Sequence, residues 1–286
     1  MLQYITVDKK HEVISSLAGA QHFCAPKWIE MLIAITRAVS RSIANCELTH
    51  LERVPIDFGN ARRQHHAYEA TLRSLGVEIC SLPEAPELPD SVFVEDAAVV
   101  LDECAVLTRP GADSRKPEVE SIARALAPYR TLHRIQAPGT VDGGDVLVVG
   151  RDIWVGLTTR SNRAAVDQMQ ACLQPYGYRV YGVPVTGCLH LKSAVTQAAP
   201  DTLLINPAWA RRSDFPGMSF IEVDPSEPSA GNVLLVGQTA LFPPAYPKTL
   251  ARLKAAGICT LLVDASELSR AEGALTCCSL IFKGDV

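Results

Sequence analysis

The sequence lacks long apolar runs and CxxC pairs of cysteines. No segment approaches the roughly 20 unbroken apolar residues of a membrane-spanning helix, and no basic start precedes an apolar run with a small-residue cleavage site. The nine cysteines are scattered and include no CxxC pair, which is typical of an intracellular chain with mostly reduced thiols. We therefore predict a cytoplasmic protein, and the cysteine spacing argues against a structural zinc site.

The sequence also lacks an excess of positive charge. Its 27 Lys and Arg residues are outnumbered by 31 Asp and Glu residues, which gives a net charge of −4. A broad basic field that would favour nucleic acid or an anionic membrane is therefore not expected, and we predict neither partner. With 286 residues and 48% hydrophobic content, the chain can bury a large core as one sizeable domain or two small ones.

A further absence concerns nucleotide binding. No glycine-rich turn of the dinucleotide-binding type follows the first predicted strand, and Gly143 and Gly144 are only a pair. This disfavours a doubly wound sheet, the alternative fold. The glycine pair predicts a tight turn, and its more specific use would be to let Asp142 and Asp145 project differently at the mouth of a strand.

What the sequence does contain is a repeated pattern. A polar residue, an apolar strand, a short turn and a second strand recur from Asp96, Asp145 and Asn232, and a helix is predicted after each pair. Ser114, Ser161 and Pro247 are the predicted starts of these helices. The alternation of period 2 with period 3.6 predicts an α/β protein.

Two further copies of the pattern would complete a set of five. A fourth begins at His190, and a fifth would pair residues 278–282 with residues 33–37, with a helix over residues 61–75 in the same unit. Joining both ends of the chain in this way would close a ring. We therefore predict a single domain over residues 31–286. Residues 1–30 do not fit the repeat and are predicted to be an N-terminal extension, unless Met31 is the physiological start.

Cys277 and His190 are the candidate reactive side chains. A buried free cysteine is usually a small apolar core residue, and an isolated buried histidine is as often structural as catalytic. Cys277 precedes a strand in which alternation would turn Cys277 and Cys278 to opposite sides. Asp142 is the candidate partner of His190, because a carboxylate on one imidazole nitrogen fixes the tautomer and leaves the other nitrogen for proton transfer.

Glu95 and Asp96 interrupt a strongly apolar stretch. They could form an ordinary solvated turn, but two carboxylates at a strand mouth would also suit a planar guanidinium with its fixed fork of N–H donors. Arg115 and Arg160 are solvated charges by default, and they could instead pair with a substrate carboxylate. The combination would select a zwitterionic, cationic amino acid.

Five motifs together resemble the dimethylarginine dimethylaminohydrolases of the guanidino-modifying (pentein) superfamily. The resemblance runs in order from about residue 33 to the C-terminus, and it implies an α/β propeller of five ββαβ modules around a pseudo-fivefold axis, with the active site in the central channel. The motifs are residues 89–96 (PDSVFVED), 108–115 (TRPGADSR), 139–145 (GTVDGGD), 189–193 (LHLKS) and 275–279 (LTCCS).

The resemblance also implies the catalytic roles. Cys277 would be the nucleophile, His190 the general acid and base, and Asp142 the residue that orients His190. Attack of the thiolate on the guanidinium carbon would release dimethylamine, or methylamine from a monomethylated substrate. Water would then hydrolyse a covalent thiouronium intermediate to citrulline. The mechanism implied needs no metal and no organic cofactor.

Substrate-binding roles follow from the same resemblance. Glu95 and Asp96 would bind the guanidinium with Asp90 nearby, while Arg115 and Arg160 would hold the substrate carboxylate. This arrangement implies a small-molecule substrate, a methylated arginine, bound by a monomer or homodimer.

Two remaining contacts complete the implied site. The main chain at Ala271 would meet the α-amino group, and Leu48 would lie on a mobile lid, although an ordinary loop leucine is an alternative.

Two other functions stay open. One is an arginine deiminase-type hydrolase that releases ammonia, although such enzymes typically carry a helical insertion that this chain lacks. The other is a non-catalytic binding protein that retains the fold.

Overall fold

The computed structural model describes residues 31–284, so the predicted extension over residues 1–30 lies outside the described residues. None of the helices in this part of the chain is long and apolar enough to cross a membrane. In chain order the elements are β1 (Leu32–Arg37), α1 (Phe58–Ser74), β2 (Val77–Leu82), β3 (Ala98–Val100), β4 (Cys104–Leu107), α2 (Glu118–Leu126), β5 (Thr131–Arg134), β6 (Val146–Val149), β7 (Asp152–Leu157), α3 (Arg163–Leu173), β8 (Arg179–Pro184), α4 (Leu191–Ala194), β9 (Val195–Ala199), β10 (Thr202–Ile205), β11 (Ser219–Glu222), β12 (Leu234–Val236), β13 (Thr239–Phe242), α5 (Pro247–Ala255), β14 (Cys259–Leu262), α6 (Ser266–Ser269) and β15 (Leu280–Lys283).

The strands form five separate three-stranded sheets. In each sheet the middle strand is antiparallel to one neighbour and parallel to the other. For example, β4 is antiparallel to β3 and parallel to β5. The same arrangement recurs around β7, β10 and β13. No closed sheet joins the five within residues 31–284, and the architecture is a mixed α/β fold with five similar modules.

The two ends of the described chain share one sheet, as predicted. β15 pairs antiparallel with β1, where Ile35 lies opposite Leu280, and β1 pairs parallel with β2. The helix of this module, α1, begins at Phe58 rather than at the predicted Ala61. Asp57 caps it, because the Asp57 side chain accepts a backbone N–H from the first turn.

Two further predicted helix starts differ from the observed ones. Asn162, not Ser161, caps α3, and the Ser161 hydroxyl donates instead to the buried Asp145. Ser114 lies in a short 3-10 turn and donates to Glu47. In both cases a carboxylate brought close by the tertiary fold competes with the local backbone for the serine hydroxyl, which sequence spacing does not reveal.

The fourth module departs from the helical pattern. Between β10 and β11 the chain forms only a short 3-10 helix, Arg212–Asp214. Pro207 and Pro216 bracket this connection. Proline lacks a backbone N–H and disfavours a helical conformation in the residue before it, so the segment is too interrupted for a longer α-helix.

Hydrophobic clusters connect successive sheets. One cluster packs Val106 of β4 with Ile153 of β7, and others join each following pair of sheets. A further cluster packs Leu241 of β13 with Ala34 of β1, which links the last sheet to the sheet formed by the chain ends. Apolar burial between sheets therefore holds each module against its neighbours.

We predict that Phe242→Ala lowers the free energy of unfolding by about 3–5 kcal/mol, because it leaves a cavity among residues with no room to collapse. Phe242 is 0% exposed. Leu262 is its partner on the neighbouring strand and is 51% exposed, so Leu262→Ala is the matched control and should change stability by less than about 0.5 kcal/mol. Urea unfolding of both variants tests this. Equal effects of the two substitutions would contradict the burial assigned to β13.

Candidate active site

A small cavity of about 20 Å³ brings most of the predicted site residues together. The predicted residues that line it are Asp90, Asp96, Arg115, Arg160, His190, Ala271 and Cys277, and the other lining residues are Glu47, Phe93, Leu189, Glu272 and Gly273. Asp142 lies directly behind His190. Of the ten residues predicted, Glu95 and Leu48 are the two whose side chains are not part of this arrangement. A volume of this size accommodates about one water molecule.

Four of the predicted site residues lie in, or immediately before, short helical turns that precede the first strands of four modules. Asp96 lies in the 3-10 turn before β3, and Asp142 immediately precedes the turn before β6. His190 immediately precedes α4, which leads into β9, and Cys277 lies in the turn before β15. Equivalent positions of the repeat therefore converge, although the residues are far apart in sequence.

The cysteine pair is separated by this turn rather than by strand alternation. Cys277 and Cys278 both lie in the 3-10 turn, and β15 begins only at Leu280. Cys277 lines the small cavity, whereas the Cys278 Sγ contacts the backbone carbonyl of Ala274 at 3.4 Å. One thiol thus faces the site and its neighbour packs, as predicted, but the responsible geometry is helical.

His190 and Asp142 form a buried hydrogen-bonded pair. Nε2 of His190 lies 3.0 Å from Oδ2 of Asp142, which is 0% exposed. Oδ1 of Asp142 accepts the Gly111 backbone N–H at 2.8 Å, and Arg160 donates to Oδ2. These contacts fix the carboxylate, and the carboxylate in turn fixes the imidazole.

The surrounding charges determine the protonation of His190. Burial alone would lower the imidazole pKa, but the charge of Asp96, the hydrogen bond to Asp142 and the charge of Asp145 raise the pKa of His190 to about 9. The imidazole therefore carries a proton at neutral pH. It can donate that proton to a leaving group.

The surroundings of Cys277 favour the neutral form of its thiol. Burial and the negative charges of Glu95 and Asp96 raise the pKa of the Cys277 thiol well above its usual value. The thiol is therefore neutral in the substrate-free site. A cation bound beside it would oppose the effect of the two carboxylates and favour the thiolate.

Asp96 provides a fixed negative charge in the cavity. Burial would raise the pKa of this carboxyl, but the charges of Arg115 and His190 lower it to about 2. Oδ1 of Asp96 accepts the Gly144 backbone N–H at 2.9 Å, and Oδ2 contacts Arg115. Asp96 therefore remains ionised although it is buried.

Arg115 lines the cavity as predicted, but protein acceptors already engage its guanidinium. Besides Asp96, it donates to both carboxylate oxygens of Glu118 and to the backbone carbonyls of Asp90 and Phe93. Its main observed contribution is to neutralise Asp96 and Glu118. Arg160 is less committed, because among residues 31–284 its guanidinium donates only to Asp142 and to the Thr49 hydroxyl.

The structure separates Glu95 from Asp96, which corrects the expectation that both carboxylates face one cation. Glu95 pairs with Lys192 at 2.6 Å and accepts the Thr276 hydroxyl at 2.9 Å. It lines a different cavity, of about 340 Å³, which is lined mainly by the first strands of the five modules. Consecutive residues of a tight turn point in different directions, so only Asp96 reaches the small cavity.

The glycine pair is needed for close packing around these groups. A Cβ at Gly143 would lie 1.9 Å from the backbone oxygen of Glu95, and a Cβ at Gly144 would lie 2.7 Å from Nδ1 of His190. The predicted tight turn is therefore present. The glycine pair lets the turn that follows Asp142 approach the turns that carry Glu95 and His190.

A loop over residues 46–56, here called the covering loop, closes the cavity and was largely missed in the sequence. Glu47 donates its backbone N–H to Asp90 at 3.0 Å, and the Thr49 backbone N–H donates to Glu272. Leu48 lies on this loop as predicted, but its side chain packs against a hydrophobic cluster. The loop has no periodic pattern of apolar residues. The only indication in the sequence is Glu272, which lies in the same stretch as Cys277 and contacts the loop in the structure.

A metal ion does not fit the site as built. Ligand atoms of Asp96, Asp142 and His190 lie within 4.8 Å of one another. Arg115 and Arg160 already pair with the two carboxylates, and the His190 pKa of about 9 keeps its imidazole protonated. Histidine binds a metal ion only through an unprotonated ring nitrogen.

Comparisons with known proteins point to one family. The family model described as N,N dimethylarginine dimethylhydrolase, eukaryotic, matches residues 51–196. The chain is 42% identical over 250 residues to N(G),N(G)-dimethylarginine dimethylaminohydrolase of Streptomyces coelicolor, covering 86% of this chain and 95% of that protein. It is 34% identical over 250 residues to the enzyme of the same name from Pseudomonas aeruginosa, covering 87% and 98%.

Solved structures show the same relationship. A cysteine-to-serine variant of dimethylarginine dimethylaminohydrolase (DDAH) from Pseudomonas aeruginosa, complexed with citrulline, superposes with a TM-score of 0.84 at 33% identity, covering 88% of this chain and 100% of that one. The N-terminal domain of ArgZ, an arginine dihydrolase from cyanobacteria, has a TM-score of 0.78 at 18% identity and shares the fold. On its sequence and its structure, the chain belongs to the dimethylarginine dimethylaminohydrolase family.

Proposed function

We propose that this protein hydrolyses N-omega,N-omega-dimethylarginine to citrulline and dimethylamine, and N-omega-monomethylarginine to citrulline and methylamine. The observation that carries the proposal is the single cavity lined by the Cys277 thiol, the His190 imidazolium and the ionised Asp96. The names of the relatives at 42% and 34% identity, and the citrulline bound to the Pseudomonas aeruginosa structure, support the substrate class.

Asp96 receives the guanidinium of the substrate. It is ionised, buried and lines the cavity with Cys277, so a planar cation can donate N–H bonds to it while its central carbon lies against the sulfur. Glu95 acts on the Cys277 thiol through its negative charge, and it accepts the hydroxyl of the neighbouring Thr276. It contributes to the field at the sulfur without contacting the substrate.

The other end of the substrate meets Arg160 and the main chain of Ala271. Arg160 can transfer hydrogen bonds from Thr49 to the substrate carboxylate, with Arg115 adding positive charge behind it. The Ala271 carbonyl receives the α-amino group. The Asp90 carboxylate, which the resemblance places near the guanidinium, accepts the Glu47 backbone N–H and so lies beside the covering loop at this end. Because the cavity is small, the covering loop must move to admit a molecule of this size.

The reaction proceeds through a covalent adduct. The bound guanidinium favours loss of the Cys277 thiol proton to solvent as the substrate binds, and the thiolate sulfur then attacks the central carbon. The bond from that carbon to the dimethylated nitrogen breaks while His190 donates its proton, which releases dimethylamine and leaves a thiouronium. His190, now neutral, accepts a proton from the attacking water. Collapse of the resulting intermediate breaks the carbon–sulfur bond, releases citrulline and restores the Cys277 thiolate.

The modules are proposed to form one catalytic domain over residues 31–286, arranged as an α/β propeller with pseudo-fivefold symmetry, preceded by the extension over residues 1–30. The hydrophobic clusters support this arrangement, because one of them links the last sheet back to the first. The domain would act on a free amino acid as a monomer or homodimer, without nucleic acid or membrane partners. The eight described cysteines are free thiols, which supports a reducing, cytoplasmic setting.

We predict that Cys277→Ser lowers citrulline formation by at least about 10⁴-fold, since the hydroxyl is a poorer nucleophile and the rest of the site is unchanged. Cys278→Ser is the matched control, because the adjacent thiol does not line the small cavity, and it should retain activity within about tenfold. A colorimetric citrulline assay of both purified variants measures the difference. Near-normal turnover by Cys277→Ser would remove the assigned nucleophile.

The protonated imidazole gives a prediction for pH. Since the His190 pKa is about 9, kcat/KM should fall as pH rises above about 9, where the proton for the leaving amine is lost. Asp142→Asn removes a contact that raises this pKa, so the alkaline limb should move to lower pH and the maximum rate should drop about 10²–10⁴-fold. Profiles of kcat/KM against pH for both proteins test this. An alkaline limb that stays at the same pH in the variant would show that His190 is not the titrating group.

Substrate preference tests the roles given to the two ends of the site. Asymmetric dimethylarginine and monomethylarginine should be the best substrates, and agmatine, which lacks the carboxylate proposed to meet Arg160, should have a kcat/KM lower by at least about 100-fold. Arginine is the comparison compound. Preference for arginine would indicate a deiminase, and no turnover of any of the four would indicate a binding protein.

A further inference from the structure

A second and larger cavity adjoins the active site. Its volume is about 300 Å³, and it shares Leu189, Glu272 and Gly273 with the small cavity. Gly273 forms part of the wall between them, where an added Cβ would lie 2.1 Å from the Phe93 ring. The wall is therefore thin and tightly packed. We call this space the side cavity.

The lining of the side cavity favours an organic cation. Trp209 and Tyr246 supply aromatic surface, and Leu51 and Leu275 supply aliphatic surface. The acidic side chains in the described lining are Asp264 and Glu272, and none of the lining residues is Lys or Arg. Apolar walls with a few polar groups of one sign are typical of small-molecule sites, and aromatic faces attract cations.

Glu272 connects this cavity to the covering loop. Its carboxylate accepts three consecutive backbone N–H groups, from Thr49 at 3.0 Å, His50 at 2.5 Å and Leu51 at 2.6 Å. Among residues 31–284 it is the one non-glycine residue with a positive φ, at 58°. A strained backbone of this kind persists only where the surrounding structure determines it. Glu272 is therefore held in position to fasten the loop.

The covering loop also touches the substrate-binding groups. Glu47 donates its backbone N–H to Asp90, and the Thr49 hydroxyl accepts from Arg160. His50 and Leu51 line the side cavity itself. A ligand in the side cavity would thus contact the loop and the carboxylate that fastens it, and the loop would carry the effect to the active site.

We propose that the side cavity binds an organic cation with an apolar body, and that the bound cation competes with the backbone of the covering loop for Glu272. Binding then releases residues 49–51 and opens the small cavity. The ligand chemistry is an ammonium or guanidinium group attached to a hydrophobic portion, with no carboxylate. The side cavity is separate from the site proposed for methylated arginine.

Hydrogen exchange of the Thr49, His50 and Leu51 amides tests the proposal without requiring turnover, so it can succeed or fail independently of the proposed reaction. Benzylammonium is the probe, and benzyl alcohol is the neutral control of similar shape. We expect benzylammonium to accelerate exchange of the three amides by at least about fivefold, since released amides exchange from an opened loop. Benzyl alcohol should have no effect. Equal responses to both compounds, or a response to neither, would overturn the proposal.

Variants locate the site of action. Trp209→Ala and Asp264→Asn should abolish the response to benzylammonium. Asp167→Asn removes an exposed carboxylate on α3, outside the side cavity. This control variant should retain the response to benzylammonium. Glu272→Gln should show fast exchange without any ligand and no further acceleration with it. Should Trp209→Ala fail to fold, Asp264→Asn alone decides. A response that persists in Asp264→Asn would place the cation elsewhere and overturn the assignment.

Discussion

The site depends on mutual neutralisation of buried charges. Asp96, Asp142 and Glu118 are almost fully buried carboxylates, and an unpaired buried charge would be costly. Arg115 neutralises Asp96 and Glu118, and His190 shares Asp142 with Arg160. This arrangement keeps Asp96 ionised and His190 protonated in a place with little water. The same negative charges keep the neighbouring Cys277 thiol neutral, so the charge of a cationic substrate is what shifts the balance towards the thiolate.

Repetition explains how such a cluster can form from distant parts of the chain. Each of four modules ends a loop in a short helical turn before its first strand, and the hydrophobic clusters hold neighbouring modules side by side. Side chains at equivalent turns therefore converge without long connections. The close approach requires glycine at 143 and 144, where any Cβ would collide with another catalytic turn. The packing between modules thus sets the precision of the site.

Much of the fold could be read from the alternation of apolar residues, because that alternation reflects burial on one face of a strand. The five strand pairs, including the pairing of the chain ends, follow from it. The third strand of each module did not, since strands such as β14 are largely exposed and lack a clear apolar face. The predicted helix caps were also wrong where a carboxylate from a distant part of the chain accepts the serine hydroxyl, as Asp145 does at Ser161.

The sequence by itself determined which chemical groups are present: a cysteine, a histidine, an acidic turn and a glycine pair in motifs whose order resembles one enzyme family. Only the tertiary structure decided which of them meet. It turned Asp96 towards Cys277 and Glu95 towards Lys192, and it placed Glu272 against the covering loop. The physical reason is that strand and helix periodicity depends on local burial. The direction of a side chain in a tight turn, and the partner of a buried charge, depend instead on contacts between residues far apart in the chain.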